Sequence, residues 1–330
     1  MHHKIVRRIF FSLLIVVAVV ALLVGGFFFW RDHRPQPEST RVELFDGITY
    51  IRAVRQQPRP LIIHVVQINL DTPGLSFLVT PGEPINGNEV RAQTTSHFLA
   101  THDLQLAING DFFFPWWYHT IFDYYPHVND PTDVNGLAAS NGEVYSEEKA
   151  DDPRPTLFLS QDNRAGIDQP IGAVYNAISG LPLIVEGGHI SDQIKPDEYY
   201  AGLHPRSAVG LDRDKRTLLL FIVDGRQPNY SEGVTLPELA QIAIEHGADT
   251  AINLDGGGSS TLVIEDAQGR PQILNSPIHA SIPGMERPVG NHLGVWVRDN
   301  RQTTDKRILS PRIRLSVVNS LHRMNTKDFP

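Results

Sequence analysis

The sequence predicts an α+β fold: a strand-rich single domain with mixed sheets and a few helices, preceded by one N-terminal transmembrane helix. Three observations carry this expectation. Residues 9–30 contain no charged side chain across 22 positions. Apolar or alternating runs of strand length recur between residues 42 and 298. Complete helix end signals frame the segment 236–246, where Thr235 and Glu238 form a capping box, Leu239, Ile242 and Ala243 give 3–4 spacing, and Gly247 follows the last turn.

At about 1.5 Å per residue, residues 9–30 span a hydrocarbon layer of roughly 30 Å. Lys4, Arg7 and Arg8 precede the span, and Arg31, Asp32 and Arg34 follow it. The positive-inside bias therefore puts residues 1–8 in the cytoplasm, with the anchor in the inner membrane as a single pass and the folded part facing the periplasm or the cell exterior. A cleaved signal peptide is the rival reading, but its apolar region ordinarily runs about 7–15 residues to a small-x-small site. Residues 24–30, Val-Gly-Gly-Phe-Phe-Phe-Trp, offer no clear site of that kind. Residues 31–40, with Pro35 and Pro37, read as a linker, 41–300 as the domain, and 301–330 as a basic extension.

Along the domain, strands are expected over 42–54, 61–70, 75–80, 104–109, 137–145, 171–179, 181–186, 207–212, 217–224, 251–255, 260–265 and 292–298. A first helix is expected over 89–101. The net charge is −8, and removing the excess of four positive charges in residues 1–34 leaves −12 for the rest. An acidic outer domain argues against a nucleic-acid partner. With no cysteine there is neither a disulfide nor a thiolate metal site. P-loop, HExxH, post-strand GxGxxG and GxSxG patterns are all missing from the sequence.

The most informative stretch is Asn253-Leu254-Asp255-Gly256-Gly257-Gly258-Ser259-Ser260, where an apolar run ends in a carboxylate, three glycines and two hydroxyls. Glycine lets backbone approach a ligand closely, so such a loop suits an anion or a sugar; a tight turn is the plainer alternative. Two other runs end similarly, at Asn109-Gly110-Asp111 and at Asp224-Gly225-Arg226. If these strands lie side by side, Asn109, Asp111, Asp224, Arg226, Asn253 and Asp255 share one rim, although each alone is a plausible turn residue. Arg206, Arg226 and Arg287 are candidate phosphate ligands because guanidinium offers paired donors and a fixed charge. Nine aromatics fall within 112–125, among them Trp116 and Trp117, which suit a wall for an apolar sugar face or a contact with the membrane interface.

These segments, in their order, together with Pro205-Arg206-Ser207-Ala208-Val209-Gly210 and the helix start Gly233-Val234-Thr235-Leu236, resemble the phosphodiester glycosidase domain family over roughly 60–300. The resemblance implies an α+β domain that hydrolyses a sugar-1-phosphodiester, or glycan-phosphate, at the glycosidic C–O bond. Asp111 stands where the family commonly has a small residue, the aromatic segment after Phe113 is an elaboration, and Glu186 is unexpected in its strand. Within this reading Asp255 is the first choice for the catalytic carboxylate and Asp224 the second. Arg206 and the N–H groups of Gly256, Gly257, Gly258 and Ser259 face phosphate, while Asn109 and Asn253 orient sugar hydroxyls. No cofactor is required, although a divalent cation held by Asp255 and Asp224 is an open alternative. Two further readings compete: a non-catalytic envelope glycan-binding or assembly protein, and a metal-dependent phosphoesterase.

Overall fold

The computed structural model describes residues 2–195 and 201–297. The expected basic extension and the last residues of the expected domain lie outside the described residues.

The first helix runs His2–Asp32, and its Phe10–Asp32 stretch is long and apolar enough to cross a membrane. Beyond it the strands form an eight-stranded sheet, two five-stranded sheets and two smaller ones. The expected strand-rich α+β class is what folds. Within its sheets the strand pairs are antiparallel rather than mixed.

The large sheet has Leu61–Asn69, Thr217–Val223, Arg206–Leu211 and Thr250–Asn253 as consecutive central strands. Their near-continuous apolar sequences follow from burial on both faces. Leu218, Leu220 and Ile222 point into the main core against the two five-stranded sheets. Leu219, Phe221 and Val223 point the other way, onto the helix Leu236–Glu245. That helix has the expected cap, with Thr235 accepting from the Glu238 amide and Glu238 answering the Thr235 amide. A second, short helix, Thr95–Thr101, covers the outer face of a five-stranded sheet through Phe98 and Leu99.

Several expected elements divide. The run 42–54 is a hairpin, Thr40–Phe45 and Ile48–Arg55, turned at Asp46-Gly47 with Gly47 at φ +69°. The run 137–145 is also a hairpin, turned at Asn141-Gly142 with both φ positive. The helix expected over 89–101 begins only at Thr95, because Thr94 is an extended N-cap and Val90–Arg91 pairs with Pro131–Val134. Of 171–179 only Asn176–Ser179 is strand, and Thr156–Leu159 pairs with Ala165–Ile167 where no strand was expected.

Candidate active site

Strands Thr217–Val223 and Thr250–Asn253 flank Arg206–Leu211 in antiparallel register, with Val223 opposite Arg206 and Asn253 opposite Ala208. Both therefore end where the middle strand begins. This brings Arg206 beside the loops that start at Asp224 and Leu254. The strand Leu106–Asn109 belongs to a facing sheet, not to the same row. Asn109 ties the two sheets together: its Nδ2 donates to Asp255 O at 2.7 Å, and its Oδ1 accepts from the Thr261 amide and lies 2.8 Å from Ser207 Oγ.

At this junction is a cavity of about 260 Å³ lined by Phe112, Phe113, Trp116, His204, Arg206, Arg226, Asp255, Gly256, Gly257 and Arg287. Asp255 is the one carboxylate among these described lining residues, and three arginines line the cavity with it. A wider depression of about 430 Å³ lies at the opposite end of the large sheet, around Gln67, Asn69 and Thr217. There Arg216 and Asp71 neutralise each other on the surface, 2.7 Å apart, so no charge is left to select a ligand.

Asp255 accepts from Ser259 Oγ, and its own amide donates to Gly110 O at 3.0 Å. Burial pushes its pKa up from the ordinary carboxylate value, opposed first by the Arg287 charge and then by the Ser259 hydrogen bond. Arg287 Nη1 lies 3.3 Å from Ser259 Oγ, and its guanidinium stacks over Trp116 at 5.0 Å. Arg226, at φ +57°, reaches His204 Nδ1 at 3.2 Å. Arg206 is 2% exposed and donates from Nε to Val234 O and from Nη2 to Gly202 O. Burial and then the Arg226 charge push His204 down to about 4, and burial and Arg287 do the same to His279. Both imidazoles are neutral at pH 7, which leaves the arginines as the positive charges of the cavity.

The triple glycine works differently from the expected row of N–H donors. The Gly257 amide donates to Pro205 O at 2.9 Å, and the Gly256 amide serves the Asp255 carboxylate. What the glycines provide is clearance. A Cβ on Gly257 would stand 3.0 Å from Arg226 Nη1, and one on Gly258 would stand 2.7 Å from Arg287 Nη2. Two guanidinium groups thus rest on bare backbone.

Seven expected site residues line the cavity: Asp255, Arg206, Arg226, Arg287, Gly256, Gly257 and Trp116. The others stand behind it or outside it. Asn109 is wholly buried with its hydrogen bonds used inside the protein, so it holds the loop rather than a sugar. Asn253 is likewise buried and donates to Leu181 O at 2.7 Å. Asp224 is no second carboxylate of the cavity. Its Oδ1 accepts from the Ser276 amide and Asn275 Nδ2, and its Oδ2 faces His64 Nε2 at 3.3 Å, with His64 in turn bound to Tyr50. Among the described residues no group of three or more His, Asp or Glu is arranged to hold a metal. Asp111 is buried, accepts from the Gly136 and Phe112 amides at 2.7 Å, and is pushed up to about 6 by burial. Ser259 and Gly258 lie beneath Asp255 and Arg287. Trp117 stacks on Tyr125 in the outer hairpin.

His204, Phe112 and Phe113 also line the cavity, although none was expected as a site residue. His204 adjoins the Pro-Arg segment and the two phenylalanines follow Asp111, so proximity in the chain was the available signal. His279, 3.5 Å from Arg287 Nε, carried none.

The glycines also make Gly225 a stability test. A Cβ there would meet Pro205 N at 2.5 Å and His204 C at 2.8 Å, both unyielding backbone. Gly225→Ala is expected to lose about 1–3 kcal/mol, read from thermal or denaturant unfolding of the purified chain.

The phosphodiester glycosidase family model matches residues 102–296, more than half of the chain. Among curated proteins, the mouse N-acetylglucosamine-1-phosphodiester alpha-N-acetylglucosaminidase is 31% identical over 33% of this chain and 22% of its own. The human protein of the same name is 26% identical over 57% of this chain and 37% of its own. The chain thus spans little more than a third of the length of these relatives at most. Among solved structures, the catalytic domain of the zebrafish protein of that name, auto-inhibited by its pro-peptide, superposes with TM-score 0.55 at 20% identity, covering 81% of this chain and 86% of its own. A hypothetical protein from Synechocystis gives TM-score 0.53 at 16% identity, over 79% and 64%. These structural likenesses show a shared fold.

Proposed function

Because the chain belongs to the phosphodiester glycosidase family, we propose that it is a membrane-anchored glycoside hydrolase cleaving a sugar-1-phosphodiester at the glycosidic C–O bond. One observation carries this reading: a single described carboxylate, Asp255, lines one small aromatic-walled cavity with Arg206, Arg226 and Arg287. Ordinary glycoside hydrolysis needs a protonated acid for its alkoxide leaving group. A phosphate departs as a weakly basic anion, so the demand shifts from proton donation to charge neutralisation. Three guanidiniums and no second lining carboxylate among the described residues match that demand.

In the proposed step Asp255 takes a proton from water as the water oxygen bonds to the anomeric carbon. The bond from that carbon to the phosphate oxygen breaks, and its electron pair leaves with the phosphate. The products are a free sugar and a phosphomonoester. The arginines hold the phosphoryl oxygens, and Phe112, Phe113 and Trp116 cover an apolar sugar face. The charge this chemistry requires comes from arginine, and no metal or organic cofactor is assigned a role.

The helix His2–Asp32 is the proposed anchor, a single pass in the inner membrane with Lys4, Arg7 and Arg8 in the cytoplasm. The substrate is then a glycan-phosphate of the periplasm or cell exterior, such as exopolysaccharide or teichoic-type material. The test uses the full chain in detergent with a chromogenic sugar-1-phosphodiester in ¹⁸O-water. Label in the sugar is expected. Label in the phosphate would reassign the protein to P–O cleavage, and sugar binding without turnover to a glycan-binding role.

Arg206→Lys separates phosphate recognition from sugar recognition, because ammonium lacks the planar pair of donors. Inhibition constants should weaken about 10–100-fold for a sugar-1-phosphate and stay within about twofold for the free sugar. Equal weakening of both would remove Arg206 from the phosphate site.

A further inference from the structure

Among the described residues outside the N-terminal helix, exposed large apolar side chains gather at one place. Phe114, Trp116, Trp117, Tyr118, Ile121 and Phe122 are all exposed, Phe122 by 88%. They lie on or beside a two-stranded ribbon, Trp117–Thr120 with Asp123–Tyr125, that pairs with no other strand among the described residues. No Asp, Glu, Lys or Arg occurs from residue 112 to 122. An isolated ribbon is marginal in water, and this one is braced at its base. Trp117 stacks on Tyr125 at 4.5 Å, and Tyr118 and Tyr124 both pack edge-on against His279. The bracing leaves Ile121 and Phe122 at the tip, held out from the body.

The foot of the membrane helix docks nearby. Arg34 donates to Ser276 Oγ at 3.1 Å and to Gln227, and its guanidinium lies 3.5 Å over the Tyr230 ring. Asn229 Nδ2 donates to Asp32 O at 3.2 Å, and Gln36 donates to Tyr230 O. The loop carrying Arg226 into the cavity is therefore strapped to the residues leaving the helix. Ser276 receives that strap, and His279, three residues on, receives the ribbon. Trp116 and Arg287 line the cavity, and Arg287 lies 3.5 Å from His279.

From this continuity we propose that the ribbon tip enters the surface of the membrane that anchors the helix, and that the leaving group of the substrate is a lipid phosphate seated there. Trp and Tyr at the ribbon base then occupy the headgroup level that amphipathic rings favour, with the apolar tip below them. The substrate class becomes a sugar joined through phosphodiester to a membrane lipid, which presents its sugar-phosphate at the depth of the cavity. This rests on the glycosidase reading for the substrate, though not for the contact with lipid.

Two measurements on the full chain keep the parts separate. The first uses Trp30→Phe protein, which removes the tryptophan of the helix, in phosphatidylcholine–phosphatidylglycerol vesicles with brominated acyl chains. Tryptophan quenching above that in unbrominated vesicles is expected, and adding Phe122→Asp should reduce it by about twofold or more, because binding scales with buried apolar area. No quenching, or quenching indifferent to Phe122→Asp, overturns membrane entry. So does concentration-dependent dimerisation in detergent that Phe122→Asp abolishes without any lipid quenching, since the ribbon would then bind a second copy. The second compares one sugar-1-phosphodiester bearing a water-soluble chromogenic alcohol with the same head on a polyisoprenoid lipid embedded in vesicles. Phe122→Asp should leave the soluble substrate within about twofold and slow the embedded one about tenfold. Equal effects on both overturn the lipid assignment. If the wild-type chain turns over neither, the glycosidase reading and the lipid-linked substrate fall together, while quenching still decides membrane entry.

Discussion

Asp255→Asn is expected to lower turnover of a sugar-1-phosphodiester on the order of 10³-fold while leaving the fold intact. The reasoning starts from what the amide keeps. Its oxygen can still accept from Ser259 Oγ and the Gly256 amide, and the Asp255 main chain remains pinned by Gly110 O and Asn109 Nδ2. What it loses is the negative charge, and with it the capacity to take a proton from water. Because burial raises the Asp255 pKa, the carboxylate is held against a desolvation cost, and its neutral isostere should melt at the same temperature or higher. Unfolding curves and steady-state rates on one preparation check both halves. Retained activity would exclude Asp255 as the base, and a collapsed melting temperature would assign it a structural role.

Arg287→Gln is expected to lower kcat/KM about 10²–10³-fold and to move the acid limb of its pH profile upward. Arg287 is the largest influence holding the Asp255 pKa down against burial. The proposed step needs Asp255 ionised, so activity disappears as pH falls through that pKa. A higher pKa therefore places the loss at higher pH, and even in the wild type the limb should lie above the ordinary carboxylate range. Loss of rate with an unmoved limb would mean that Arg287 contacts phosphate without tuning the carboxylate. Glutamine removes the charge stacked on Trp116 together with the Nη1 contact to Ser259.

The strands that build the cavity were legible because their sequences are extreme: Leu218 to Val223 is unbroken apolar sequence that only a doubly covered strand explains. The capping box at Thr235 fixed a helix end to within a residue. Asp255 was recognisable from the triple glycine that follows it, and the three arginines from the paired donors and fixed charge that guanidinium offers a phosphate. Asn109, Asp224 and Asn253 looked identical to them in sequence, since a polar residue at a strand end reads the same whether it faces a ligand or a neighbouring loop. Which one it does depends on the facing sheet, and that pairing joins residues more than 140 positions apart, as between Asn109 and Asp255. The hairpins at Asp46-Gly47 and Asn141-Gly142 did carry local turn signals, which the length of the apolar runs obscured. His279 reaches the site only through its contact with Arg287 and had no local signal at all.

Arg206, Arg226 and Arg287 line the cavity together with Asp255. In the proposed reaction the entering diester carries one negative charge, whereas the phosphomonoester product carries about 1.5–2 at pH 7. Hydrolysis thus converts a ligand into a tighter one, and escape of the spent phosphate, not bond cleavage, is expected to limit throughput. Progress curves should bend early, added phosphomonoester should compete, and moderate salt should speed the steady state by screening what detains the product.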